Sequence, residues 1–158
     1  MGDHQPENSY PMNTTLRPGT QVPAEAAIIM PDSLGTVLLV EDEEGIREVT
    51  AMLLSHLNYS VICAACGADA IEKFRNYQGP IDVLLTDVVM PGMTGLALAQ
   101  TLCTLNPELR TIVMSGFSGD DMPHDATLPF LEKPFTREKL ARVLRAVFEN
   151  NVPARFLH

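Results

Sequence analysis

Positive charge is the first thing this chain has little of. It carries 11 Lys and Arg against 20 Asp and Glu, a net charge of −9, and its pI is near 4.8. Such a surface repels phosphate backbones and anionic lipid headgroups, which argues against direct nucleic-acid binding. Long apolar runs are also missing. Nothing approaches the roughly 20 consecutive apolar residues that cross a bilayer, and the N-terminus lacks the charged-then-apolar layout of a signal peptide. No membrane insertion and a cytoplasmic location are expected. Cysteine is scarce, with 3 residues, an odd number without an extracellular disulfide pattern. Cys63-Ala-Ala-Cys66 has the spacing of a redox or metal pair. However, Cys63 falls in a strand-like run rather than at a helix start, and no second Cys pair or nearby His completes a zinc site, so a structural role is expected. The histidines, His4, His56, His124 and His158, are scattered and suggest no ligand set.

What is present is enough for one core. With 158 residues, 46% of them hydrophobic, the chain can bury a single domain of ordinary size. Residues 1–34 are rich in Pro, Thr, Asn and Ala without a sustained period and read as a flexible tail or linker. Their one apolar cluster, Ala26 to Met30, could lie against the domain. Residues 151–158 read as a C-terminal tail, which leaves 35–150 as the folded unit.

Within that unit short apolar runs alternate with helical periodicities. Thr36–Val40 is strand-like, and Ile46, Val49, Leu53 and Leu57 follow helical spacing until Asn58 stops them. Tyr59 to Ala65 is a second strand, and Ala68 to Tyr77, with Ile71 and Phe74 on one face, a second helix. Val83-Leu84-Leu85 is apolar without alternation, as in a strand covered on both faces. Pro91 and Gly92 break it, and a helix follows from about Gly95 to Leu105 with Leu98, Leu102 and Leu105 facing inward. Thr111–Met114 and Phe130–Glu132 supply the last two strands, and Thr136 caps a final helix with Leu140, Val143, Leu144 and Val147 on its apolar face. Residues 117–127 are mostly polar and contain Pro123, so a helix there is short or missing. The pattern predicts a doubly wound α/β domain, a five-stranded parallel sheet flanked by helices.

In such a sheet the right-handed crossovers bring every strand end to one edge, where ligands bind. Glu41 and Asp42 together, then Asp87, Ser115 and Lys133, stand at or just past the ends of four different apolar strands. Carboxylates forced together repel unless a cation compensates them, and few protein ligands at an exposed edge favour Mg²⁺. A carboxylate can also serve as a nucleophile toward phosphorus. Asp87, between the metal and Lys133, is placed for that role, with Ser115 able to donate a hydrogen bond.

These segments resemble a known family. Val-Leu-Leu-Val-Glu41-Asp42-Glu, Leu-Leu-Thr-Asp87-Val-Val-Met-Pro-Gly-Met-Thr-Gly, Met-Ser115-Gly and Phe130-Leu-Glu-Lys133-Pro-Phe resemble, in order, the signature segments of two-component response regulator receiver domains, across residues 35–150. The resemblance implies a flavodoxin-like receiver fold and a phosphorelay module, not a substrate-turning enzyme, with slow autodephosphorylation. It implies Asp87 as phosphoacceptor, fed by a histidine kinase or histidine phosphotransfer protein. Glu41, Asp42, Asp87 and the Val89 carbonyl would hold Mg²⁺, and Ser115 and Lys133 would bind phosphoryl oxygens. Ser115 and Phe130 would act as switch residues, and the Lys133-Pro134 peptide would be cis. The Phe-Leu-Glu-Lys-Pro-Phe wording after a Pro-rich lead-in resembles receivers fused behind hybrid sensor kinases, which would tether the module to a membrane sensor. A monomer or weak dimer is expected, with output through a protein contact.

One departure stands out: Ser115 and Lys133 are 18 positions apart, fewer than the family usually has. The competing reading is a phosphohydrolase of the haloacid dehalogenase type, which also uses a strand-end Asp and Mg²⁺. Those enzymes need an acid two residues beyond the nucleophile, and that position is Val89. A degenerate, docking-only receiver would lack an acidic or lysine position, and none is lacking. Each residue alone has a plainer explanation, such as first-turn helix acids for Glu41 and Asp42, a loop-capping Asp87, a turn-forming Ser115 and a surface Lys133.

Overall fold

The computed structural model describes residues 27–116 and 128–149. In chain order its elements are β1 (Ala27–Ile28), β2 (Thr36–Val40), α1 (Glu44–His56), β3 (Ser60–Ala64), α2 (Gly67–Asn76), β4 (Val83–Asp87), α3 (Gly95–Leu105), β5 (Arg110–Ser115), β6 (Phe130–Glu132) and α4 (Arg137–Glu149). The sheet order is β1-β3-β2-β4-β5-β6. All pairings are parallel except that of β1 with β3. The segment 117–127, where a short or missing helix is expected, and most of the tail lie outside the described residues.

Alternate side chains of the central strands enter two separate cores, which is why those strands are apolar without alternation. Val37, Leu39, Val83, Leu85, Ile112 and Met114 pack against α1 and α4 on one face, and Leu38, Val40, Ile62 and Leu84 pack against α2 and α3 on the other. Among the described residues two helices on each face thus hold five parallel strands, and every one of those strands ends at the same edge.

Two inward stripes differ from the periodicity reading. In α1 the buried positions are Thr50, Ala51 and Leu54, while Val49 is exposed. The helix sits rotated so that small Ala51 and Thr50 meet the sheet, and larger Leu53 and Leu57 close the flank. In α3 Leu98 and Leu102 are buried as expected, but Leu105 is exposed. The helix ends there, and Leu109 in the following turn fills the space instead.

Asn58 ends α1 by a specific device. Its φ is 67°, a left-handed conformation that Asn tolerates better than most residues. The Tyr59 N–H bonds to Leu54 O at 3.1 Å and the Asn58 N–H to Ser55 O at 2.9 Å. That is a Schellman ending, with buried Tyr59 and Leu54 as its apolar contact.

The sheet has a sixth strand drawn from the expected tail. Ala27 and Ile28 pair with Ile62 and Val61. The lead-in is fastened further by Met30 N–H to Ser60 Oγ at 2.9 Å and Leu34 N–H to Asn58 O at 2.8 Å.

Candidate functional site

The chain runs outward from β2 to β3 and then returns to β4 on the other side of β2, so β2 and β4 flank the topological switch point, where open α/β sheets bind ligands. Asp87 is the last residue of β4, and Glu41 and Asp42 follow directly on β2. Backbone bonds fix these ends: Glu41 N–H to Ala64 O at 3.1 Å, Val88 N–H to Met114 O at 2.9 Å, and Lys133 N–H to Ser115 O at 2.8 Å. The last of these joins the ends of β5 and β6, so Ser115 and Lys133 arrive together. The Lys133-Pro134 peptide bond is cis.

The three acids and Lys133 therefore meet. One carboxylate oxygen from each of Glu41, Asp42 and Asp87 lies within 4.8 Å of the others. Lys133 Nζ stands 3.4 Å from Asp87 Oδ2 and donates a short hydrogen bond to Glu41 Oε2. Ser115 is buried at the end of β5. Phe130, half-buried at the start of β6, pairs in register with Val113. Val89, two residues past Asp87, is 59% exposed and offers no acid.

Glu41 carries an unusual burden, because it is 1% exposed. Burial pushes its carboxyl above the ordinary 4.5, against the Lys133 ammonium and the Glu43 N–H, both of which favour the charged form. The sign follows from linkage. Below about pH 4.5 Glu41 is protonated in both folded and unfolded chains and behaves like Gln. As pH rises toward its raised folded value, the unfolded chain ionises first and folding loses stability. We expect Glu41→Gln to leave the Tm unchanged at pH 4 and to raise it by a few degrees at pH 7 in the presence of chelator. Thermal denaturation at both pH values checks this, and equal effects at the two would contradict it.

Two positioning features were not legible as functional from residue type. Gly95 opens α3 against the Asp87 backbone, and a Cβ there would stand 2.0 Å from the Asp87 carbonyl oxygen. Its N–H bonds to Val88 O at 3.0 Å, so it closes the loop that presents Asp87. The only sequence signal was a glycine spaced after Pro91-Gly92. Arg47 reaches back from α1 to the acidic turn, and helical periodicity gave no hint of it. The cysteines take no part. Cys63 lies in the core on the α1 face, where burial pushes its thiol up, while Cys66 starts α2 on the other face.

The chain matches the family model described as the response regulator receiver domain over residues 37–145. It is 37% identical over 118 residues to the sensor kinase CckA of Brucella abortus, a match covering 72% of this chain and 12% of that protein. It is 34% identical over 105 residues to the response regulator receiver protein CpdR of the same organism, covering 63% of this chain and 84% of that one. A crystal structure of the response regulator TrrA from Thermotoga maritima, in complex with Mg²⁺ and BeF, superposes with a TM-score of 0.63 at 26% identity, covering 72% of this chain and 99% of that one. The chain thus spans about an eighth of the kinase but most of the two regulators. With strand-end acids, a lysine at the sheet edge and this match over most of the fold, the chain belongs to the response regulator receiver domain family.

Proposed function

We propose that Asp87 is the phosphoacceptor of this receiver and takes its phosphoryl group from a phosphohistidine on a histidine kinase or histidine phosphotransfer protein. The observation that carries this is the convergence of Glu41, Asp42 and Asp87 oxygens within 4.8 Å beside Lys133. An Asp87 oxygen attacks phosphorus, the P–N bond breaks, and the imidazole leaves with the electron pair. Lys133 Nζ, 3.4 Å from Asp87 Oδ2, neutralises charge on the transferred oxygens, and the Ser115 hydroxyl donates to one of them. Water later attacks the acyl phosphate, slowly, because Val89 supplies no base or acid. The module therefore resets without turning over a separate substrate.

Three hard carboxylate oxygens at this spacing suit an oxygen-ligated divalent ion. Glu41, Asp42, Asp87 and the Val89 carbonyl would hold Mg²⁺. When bound, the ion supplies positive charge against both the carboxylates and the phosphoryl oxygens.

Once Asp87 carries phosphate, Ser115 moves toward it and Phe130 follows into the space left, which alters the face around β6 and α4. A groove of about 620 Å³ beside the site, lined by Ile46, Val49, Leu53, Pro134 and Phe135 among others, suits an apolar helix of the phosphodonor. Among the described residues no helix is long and apolar enough to cross a membrane, in keeping with a cytoplasmic module of about residues 35–150, free-standing or joined behind a hybrid kinase. It acts as a monomer or weak dimer and makes no direct contact with nucleic acid.

Phosphoramidate carries the same P–N bond as phosphohistidine and tests the donor class. With Mg²⁺, it is expected to load one phosphoryl group that is labile to acid and alkali and is cleaved by hydroxylamine, as a mixed anhydride is. Phosphate on a histidine or serine instead would contradict the acyl-phosphate reading.

A further inference from the structure

We propose that Arg47 is a positioning residue: by gripping the backbone of the turn between β2 and α1, it fixes the aim of Glu41 and Asp42. This rests on the reading of Glu41, Asp42 and Asp87 as a cation site.

Arg47 stands in the first turn of α1, where a positive charge opposes the helix dipole. Helix stability therefore does not account for it. The helix start lacks a side-chain cap as well, since Glu43 at the N-cap makes no side-chain capping bond. Arg47 Nη1 instead donates to Glu41 O at 2.8 Å and, at longer range, to Asp42 O at 3.4 Å. Its own N–H bonds to Glu43 O at 2.9 Å, so one residue meets three successive carbonyls of the acidic turn. The Glu41 carboxylate is braced separately, with Oε1 accepting from Glu43 N–H at 3.1 Å and Oε2 from Lys133. The Asp42 side chain is exposed, so its direction depends on how its backbone is held. Both carbonyls accept from one nitrogen, Nη1, whose direction the planar guanidinium fixes. A lysine ammonium at the end of a flexible stem holds them less firmly.

This assignment has a sign that a simple charge effect lacks. If Arg47 were only a nearby cation, removing it would relieve repulsion and tighten binding of a divalent ion. A positioning residue acts the other way, because the acids lose their shared aim.

The experiment is Mn²⁺ titration followed by electron paramagnetic resonance on wild type, Arg47→Met and Arg47→Lys, with the Tm of each measured in chelator. Both variants are expected to bind Mn²⁺ roughly tenfold more weakly, the scale of lost support behind metal ligands, while their Tm values stay close to that of wild type. Tighter binding by Arg47→Met with Arg47→Lys unchanged would overturn the proposal in favour of charge alone. Unchanged binding in both would make Arg47 a surface residue, and weakened binding matched by an equal fall in Tm would make it structural. If Arg47→Met does not fold, Arg47→Lys decides, since charge alone predicts no change for it. Wild-type protein that binds no Mn²⁺ would instead strike down the cation-site reading beneath the proposal.

Discussion

Gly95→Ala is expected to lower the Tm by on the order of 10 °C and to slow phosphorylation of Asp87 roughly tenfold to a hundredfold. The added methyl would sit 2.0 Å from the Asp87 carbonyl oxygen and 3.0 Å from Thr86 Oγ1. The first obstacle is backbone and cannot rotate away, so the strand end or the start of α3 must move. Overpacking of this kind costs about 3 kcal/mol at the upper end of its usual range. The displacement falls on the residue that must attack phosphorus in line, which is why rate suffers along with stability. Gly45→Ala is the control. A methyl there meets nothing within 4 Å, and replacing Gly in a helix by Ala stabilises by about 0.5–1 kcal/mol. The same substitution thus has opposite signs at two helix starts. Thermal denaturation and phosphorylation time courses on both variants check it, and equal behaviour would contradict the close approach described at Gly95.

Asp87→Asn is expected to reduce phosphoryl incorporation from stoichiometric to none. A neutral amide oxygen is a poor nucleophile, and the acyl phosphate cannot form on it. The fold should tolerate the change, because Asn is nearly isosteric, one of three clustered negative charges disappears, and Lys133 keeps its bond to Glu41. Intact mass after treatment with a phosphodonor, paired with a circular dichroism melt, separates lost chemistry from lost structure. Phosphate retained at a neighbouring carboxylate would move the acceptor away from Asp87.

The edge where Glu41, Asp42, Asp87, Ser115 and Lys133 meet was legible because each ends a strand whose apolar run ends with it, and parallel topology sends all such ends one way. The stop at Asn58 was legible too, since a left-handed residue after an apolar period is a local signal. The two-residue β1 was not. Ala27 and Ile28 carry no period, and their strand exists only because β3 leaves an edge open to pairing. The rotation of α1 was equally hidden: Val49 and Leu54 are both apolar, and only the sheet beneath decides which is covered. Gly95 and Arg47 act through backbone atoms of their neighbours, which residue type and spacing do not reveal.

The most direct test of the account is the intact mass of the protein after incubation with acetyl phosphate, with Mg²⁺ or with chelator, followed by peptide mapping. The account predicts a single added phosphoryl group that requires Mg²⁺ and maps to Asp87. Incorporation that persists in chelator, or that maps to any other residue, would contradict it.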